Sequence, residues 1–267
     1  MAIDVHPRFS ILLGCVALLS LAHTGGASRP LAQNSEAAPQ SLPQIVDNLV
    51  VMNAERATAL ERYQGRRIYH LDYTGFPADM HAEMIVDMSY DAPSTKKFTV
   101  VSQSGSKWIV DHVFKRLLET EQEALTDKNR ARVELNAKNY DFTGVESQDP
   151  DESCSYVLTV HPKIPSKLLY TGRIWVDGRD FAVCRIEVEP AKNPSFWIKK
   201  TDIHHAYEKV GDFWLPQKNE SVSTMRFGGR AVLTIEYLNY EILAARSLKE
   251  TEVADSPSSS PVPKRLN

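Results

Sequence analysis

No basic block stands out in this chain, no glycine loop is built to cradle a phosphate, and no apolar run is long enough to span a bilayer comfortably. The formal net charge is −3, from 31 Lys and Arg against 34 Asp and Glu, so nothing favours a nucleic-acid partner. A Gly-x-Ser-x-Gly elbow and a dinucleotide fingerprint are both missing, which removes the common signals of serine hydrolases and nucleotide enzymes. Ser104-Gly105-Ser106 and Ser153-Cys154-Ser155 lack the strained turn and adjacent base that a nucleophile needs. There is no internal repeat. The expectation is a protein without catalytic residues or a cofactor.

Cysteine is scarce too. Cys15 sits near the N-terminus, and only Cys154 and Cys184 lie beyond it. In an oxidising compartment the two could pair, or they could remain buried thiols that behave as small hydrophobes. Their register is not readable, and both alternatives stay open.

The N-terminus reads as an export signal. His6 and Arg8 form a weak basic region, followed by a fourteen-residue apolar run at residues 9–22. That is the length of a signal-peptide core and short for an anchor helix, the other reading. Small residues Gly25-Gly26-Ala27 offer cleavage before Ser28, giving a signal peptide over residues 1–27. Leu12-Leu13-Gly14-Cys15 also resembles a lipobox, but the apolar residues after Cys15 argue against lipidation there. Residues 28–40, rich in Ser, Ala, Gln and Pro, read as a flexible leader. Residues 246–267 are too polar and proline-rich to bury a core and read as a disordered tail. Between them, residues 41–245 suffice for one large domain.

Within that domain, Ser41 and Pro43 open a helix whose apolar residues Leu42, Ile45, Val46, Leu49 and Met52 recur at helical spacing. Three strands follow. In the second, Met80, Ala82, Met84, Val86, Met88 and Tyr90 alternate with His81, Glu83, Asp87 and Ser89; Tyr69, Leu71 and Tyr73 do the same in the first. A second amphipathic helix over residues 107–125 presents Val110, Val113, Phe114, Leu117 and Leu118, with Glu119, Glu121 and Glu123 expected to face water. The rest is strand after strand. Residues 172–189 carry Asp177-Gly178 between two β-rich runs, a hairpin signal that places Ile174 and Val176 inward, with Arg173 and Asp177 outward and Trp175 on their face. Val210-Gly211-Asp212 and Gly228-Gly229 mark further turns. The predicted class is α+β: a strongly curved antiparallel half-barrel of about ten strands whose concave apolar face is covered by two main helices, with an apolar cavity between the layers.

Several phrases carry a resemblance. They are Arg67-Ile68-Tyr69, then Tyr156-Val157-Leu158-Thr159-Val160 before Pro162, and Ile174-Trp175-Val176-Asp177 with Arg185 beyond. Phe213-Trp214-Leu215-Pro216 follows, and Leu233-Thr234-Ile235-Glu236-Tyr237 runs into Tyr240. In this order, over residues 42–243, the chain resembles the outer-membrane lipoprotein carrier superfamily, the LolA/LolB-like half-barrels and lipoprotein-sorting proteins. The resemblance implies an exported periplasmic protein that holds lipid or lipoprotein acyl chains in a cavity, as in lipoprotein sorting. Its alternative is a non-enzymatic sensor or assembly factor that recognises envelope proteins. It further implies a monomer that touches the membrane transiently.

Candidate cavity-lining residues follow from the inward faces: Tyr69, Leu71, Met84, Val86, Met88 and Phe98 on the early strands, Phe114 and Leu117 on the second helix, and Leu158 and Ile174 on later strands. Met80, Met84 and Met88 suit an irregular ligand or plain packing equally. Asp202 and His204 share a strand face, but His205 points the other way and no third ligand is evident, so no metal is expected. His70, His81, His112 and His161 fall on polar faces.

Overall fold

The computed structural model describes residues 40–124, 132–147, 154–193 and 195–248. The expected signal peptide, most of the leader, the Cys15 site and nearly all of the tail lie outside the described residues.

Helix α1 spans Leu42–Ala59. Ser41 stands at its N-cap and Pro43 in its first turn, as the sequence implies; in addition the Gln44 side chain accepts from the Ser41 backbone N–H at 2.9 Å. Strands β1 (Leu60–Thr74), β2 (Met80–Asp91) and β3 (Thr95–Gly105) follow. A helical run then opens with α2 (Lys107–Ile109), passes through a π-helical turn at Val110–Phe114 and ends as α3 (Lys115–Ala124). Seven more strands complete the chain: β4 (Tyr140–Ser147), β5 (Tyr156–Pro162), β6 (Tyr170–Val176), β7 (Val183–Pro190), β8 (Ile198–Val210), β9 (Phe213–Met225) and β10 (Arg230–Ala245).

All pairings are antiparallel, and the ten strands form one open sheet in the order β3-β2-β1-β10-β9-β8-β7-β6-β5-β4. The expected α+β half-barrel is present. Its one long-range pairing, β1 with β10, joins the two ends of the chain, and Tyr69 stands opposite Ile235 there. Among the described residues no helix is long and apolar enough to cross a membrane.

The concave face is covered in two lobes. Under α1, Ile45, Val46 and Leu49 pack on Leu158, Val160, Ile174, Val176, Ile186, Val188 and Ile203. Under the second helical run, Ile109, Val113, Phe114, Leu117 and Leu118 pack on Tyr69, Leu71, Ala82, Met84, Val86 and Ile235. The π-helical turn inserts one residue per turn, which keeps Val110, Val113 and Phe114 on the same side as Leu117 and Leu118. A small third cluster joins Tyr63 and Met88 to Phe213 and Leu215.

Two details of the 172–189 hairpin depart from its sequence reading. Its connection is six residues rather than a two-residue turn, because the Asp177 carboxylate accepts from the backbone N–H groups of Arg179 and Asp180 at 2.9 and 2.8 Å. Asp177 is therefore buried rather than outward. Trp175 does share a face with Arg173, which is exposed there, but the indole itself is not open to solvent. The indole is buried beside the Cys154–Cys184 disulfide and Trp214, with the guanidiniums of Arg173 and Arg185 at 5.1 and 4.8 Å from its ring.

Candidate functional site

Strand alternation puts Arg67 on the same face of β1 as Tyr69 and Leu71, which means inward. Helical spacing puts Glu121 one turn beyond Leu117 and Leu118, also inward. The two meet between α3 and the sheet. Arg67, 4% exposed, donates from both terminal nitrogens to Glu121, at 2.6 Å to Oε2 and 3.0 Å to Oε1. Lys96, from β3, donates to Glu121 Oε1 at 2.5 Å. The Arg67 guanidinium also reaches the Tyr69 hydroxyl at 3.2 Å and lies between the rings of Tyr237, 4.8 Å away, and Phe98, 5.3 Å away. Its Nε has no partner in the structure. Glu121 thus does not face water as its sequence neighbours suggested; Glu119 does, paired with Arg116 at 2.9 Å.

Burial opposes charge on Glu121, but Arg67 and Lys96 outweigh it and hold the carboxyl well below the usual carboxylate range. Burial likewise opposes charge on Lys96, and Glu121 overcomes it to keep the amine above its ordinary value. Burial drives the Tyr69 and Tyr237 hydroxyls upward, so both stay neutral. Two cations facing one carboxylate leave a net positive charge in a largely dry seam.

Beside this triad lies a cavity of ≈ 40 Å³, lined by Tyr69, Leu117, Glu121, Asn219, Ser221, Leu233, Ile235 and Tyr237. It has room for a water or two, whereas pockets for drug-sized ligands run to about 300–1,000 Å³. The apolar cavity expected between the layers is therefore small, and the space is mostly filled. Asn219 and Ser221 form its polar floor: from the middle of β9 they stand opposite Ile235 and Leu233, between the two apolar lobes.

The sequence-derived candidates do not form one site. Tyr69 and Leu117 line the cavity. Leu71, Met84, Val86 and Phe114 are packed around it in the same lobe, and Phe98 backs Arg67. Met88 belongs to the small third cluster, while Leu158 and Ile174 lie under α1 in the other lobe. Among the described residues, no three His, Cys, Asp or Glu side chains converge as a metal site. Asp202 instead pairs with Lys200 at 2.7 Å.

His205 does face the concave side, opposite Asn219, and its Nε2 is buried without a partner. Burial, with His204 beside it, pushes its pKa down to about 4. An unfolded histidine takes up a proton below about pH 6.5, so the unfolded state binds more protons through the interval beneath that value. Stability is accordingly expected to fall by about 1.5 kcal/mol between about pH 6.5 and 5. Urea denaturation at both pH values checks this: His205→Phe should remove most of the slope, and an unchanged slope would contradict the assignment.

No protein-family model matches the chain, and no curated protein matches it in sequence. Among solved structures it is similar to a DUF1329 family protein from Desulfovibrio piger, at 14% identity and TM-score 0.37, covering 77% of this chain and 95% of that one. It is also similar to a LolA superfamily protein from Nitrosomonas europaea, at 11% identity and TM-score 0.33, covering 79% and 96%. A third is a putative outer membrane lipoprotein-sorting protein domain from Vibrio parahaemolyticus, at 9% identity and TM-score 0.35, covering 74% and 92%. At these scores the function has to rest on the chain's own geometry.

Proposed function

We propose that this chain is an exported, non-enzymatic binding protein that takes an acyl chain of a lipid or lipoprotein beneath α3, which opens as a lid. The observation that carries the reading is the Arg67–Glu121–Lys96 triad in the α3 seam. A buried ion pair stabilises a seam less than apolar packing of the same volume. The lid is therefore held in a defined place by a charge cluster, whereas α1 packs through Ile45, Val46 and Leu49 and ties its last turn to the Asp180 and Phe181 carbonyls through buried Arg56. The lobe beneath supplies area: each methylene removed from water is worth about 0.8 kcal/mol, so a chain of ordinary length needs few polar contacts. The surplus positive charge of the triad suits an anionic or strongly polar head at the mouth. The Cys154–Cys184 disulfide agrees with an oxidising compartment, the periplasm in this reading.

Native mass spectrometry and lipid extraction of purified protein test the proposal. Co-purified lipid, or uptake of a fluorescent fatty acid that is lost on Leu117→Trp, is the expected result. No lipid and no uptake would sink it. One observation favours a second reading, recognition of an envelope protein on a filled half-barrel: the cavity is only ≈ 40 Å³. That reading gains if the protein takes up no probe yet captures a defined envelope protein.

A further inference from the structure

Among the described residues the four most exposed large apolar side chains are Phe76 at 85%, Ile164 at 79%, Phe227 at 71% and Phe196 at 67%. They come from four different loops, and the sheet register brings those loops to one rim. Thr74 opposite Arg230 places the β1–β2 loop beside the β9–β10 turn, and Ile198 opposite Met225 places that turn beside the β7–β8 loop. Tyr170 opposite Pro190 brings in the β5–β6 loop. The loops touch as well as neighbour one another. Arg226 N–H donates to the Trp197 carbonyl and Ala191 N–H to the Leu169 carbonyl, both at 2.8 Å. A Cβ on Gly75 would stand only 2.6 Å from the Gly229 Cα, so this approach requires glycine.

The aromatic residues are ordered against one another. Trp197 lies with its ring centre 5.5 Å from both Phe196 and Phe227, and the Arg226 guanidinium sits 5.4 Å from the Phe196 ring. Around them stand exposed Lys167, Lys192, Lys199, Arg226 and Arg230. Among the described residues none of these five has a carboxylate within ion-pair distance; of the acids near the rim, Glu189 and Asp202 are both engaged by Lys200, and Asp79, in the β1–β2 loop, accepts from the Gly75 backbone N–H at 2.9 Å. The turns of the opposite rim, residues 91–94, 177–182 and 211–212, carry none of the exposed large apolar side chains.

Rigid aromatic tips ringed by unpaired cations match the two halves of an anionic bilayer surface, where apolar groups enter the acyl boundary and Lys and Arg meet the headgroups. We propose that this rim is a membrane-docking surface selective for bilayers with anionic headgroups. It is a separate surface from the α3 seam, and it stands whether or not an acyl chain binds there.

Flotation with vesicles of phosphatidylcholine alone or with phosphatidylglycerol tests the proposal on the intact protein. Binding to the anionic vesicles should exceed that to the neutral ones at least about tenfold and weaken in high salt. The combined Phe76→Ser, Phe196→Ser and Phe227→Ser variant, and separately Lys192→Glu, Lys199→Glu and Arg226→Glu, should each cut it about tenfold or more with unchanged melting. Should a variant unfold, wild-type tryptophan fluorescence remains informative. Trp197 emission should shift to the blue with anionic vesicles and be quenched by brominated lipid. The proposal is overturned if wild-type protein does not float, if neutral vesicles bind it equally, or if folded variants bind like wild type. Capture of a protein by this rim without vesicle binding would overturn it too.

Discussion

Glu121→Gln lowers the melting temperature by about 10 °C. The substitution keeps the shape of the side chain and removes the one negative charge between Arg67 and Lys96, which are 4% and 15% exposed. Removing one partner of a buried pair costs about 3–5 kcal/mol, because the remaining charge is left without compensation. In a domain of this size each kcal/mol moves melting by about 2–4 °C. Scanning calorimetry reads the shift, and a variant that melts like wild type would contradict the buried triad. The complementary change separates stability from function. Replacing Arg67, Lys96 and Glu121 together by Met, Met and Leu should leave melting unchanged or raise it. The same change should reduce uptake of a fatty-acid probe, because an all-apolar seam holds α3 down more firmly.

Loss of the Cys154–Cys184 disulfide is the second large effect. The bridge closes a 30-residue separation, and loop-closure entropy assigns such a loop about 3–4 kcal/mol. Cys154→Ser with Cys184→Ser, or wild-type protein in reductant, should therefore melt about 10 °C lower. Trp175, buried next to the bridge on the convex side, should become more accessible to a quencher in the same experiment. Equal melting in oxidising and reducing buffer would show that the bridge stabilises little.

The sheet was legible because its signals are local. Alternation in β1 and β2, Gly228-Gly229 with both residues at positive φ, and apolar spacing in both helices each specify an element without distant information. The triad is less legible, although its parts are visible in the sequence. Arg67 occupies an inward slot next to Tyr69 and Leu71, and Glu121 continues the stripe of Phe114, Leu117 and Leu118. A charge on each of two apolar faces, opposite in sign, is a signal for a buried pair. The signal is masked because Glu121 stands between Glu119 and Glu123 in sequence, a pattern that suggests a solvated helix face, while its helical neighbours are Leu117 and Leu118. The aromatic rim was hidden for a different reason. Phe76, Ile164, Phe196 and Phe227 are up to 151 residues apart in sequence, and only the register of the open ten-stranded sheet brings their loops together. Asp177 shows a third limit: its side chain shapes the turn by accepting two backbone N–H groups, an interaction that strand alternation does not represent.

The central claim is that an acyl chain enters beneath α3. Photolabelling with a diazirine fatty acid, followed by peptide mapping, tests it most directly. Label is expected on peptides that carry Tyr69, Leu117, Leu233 and Tyr237, reduced by competing fatty acid and weaker in the all-apolar triad variant. Label absent altogether, or confined to the rim loops around Phe196 and Phe227, would contradict it.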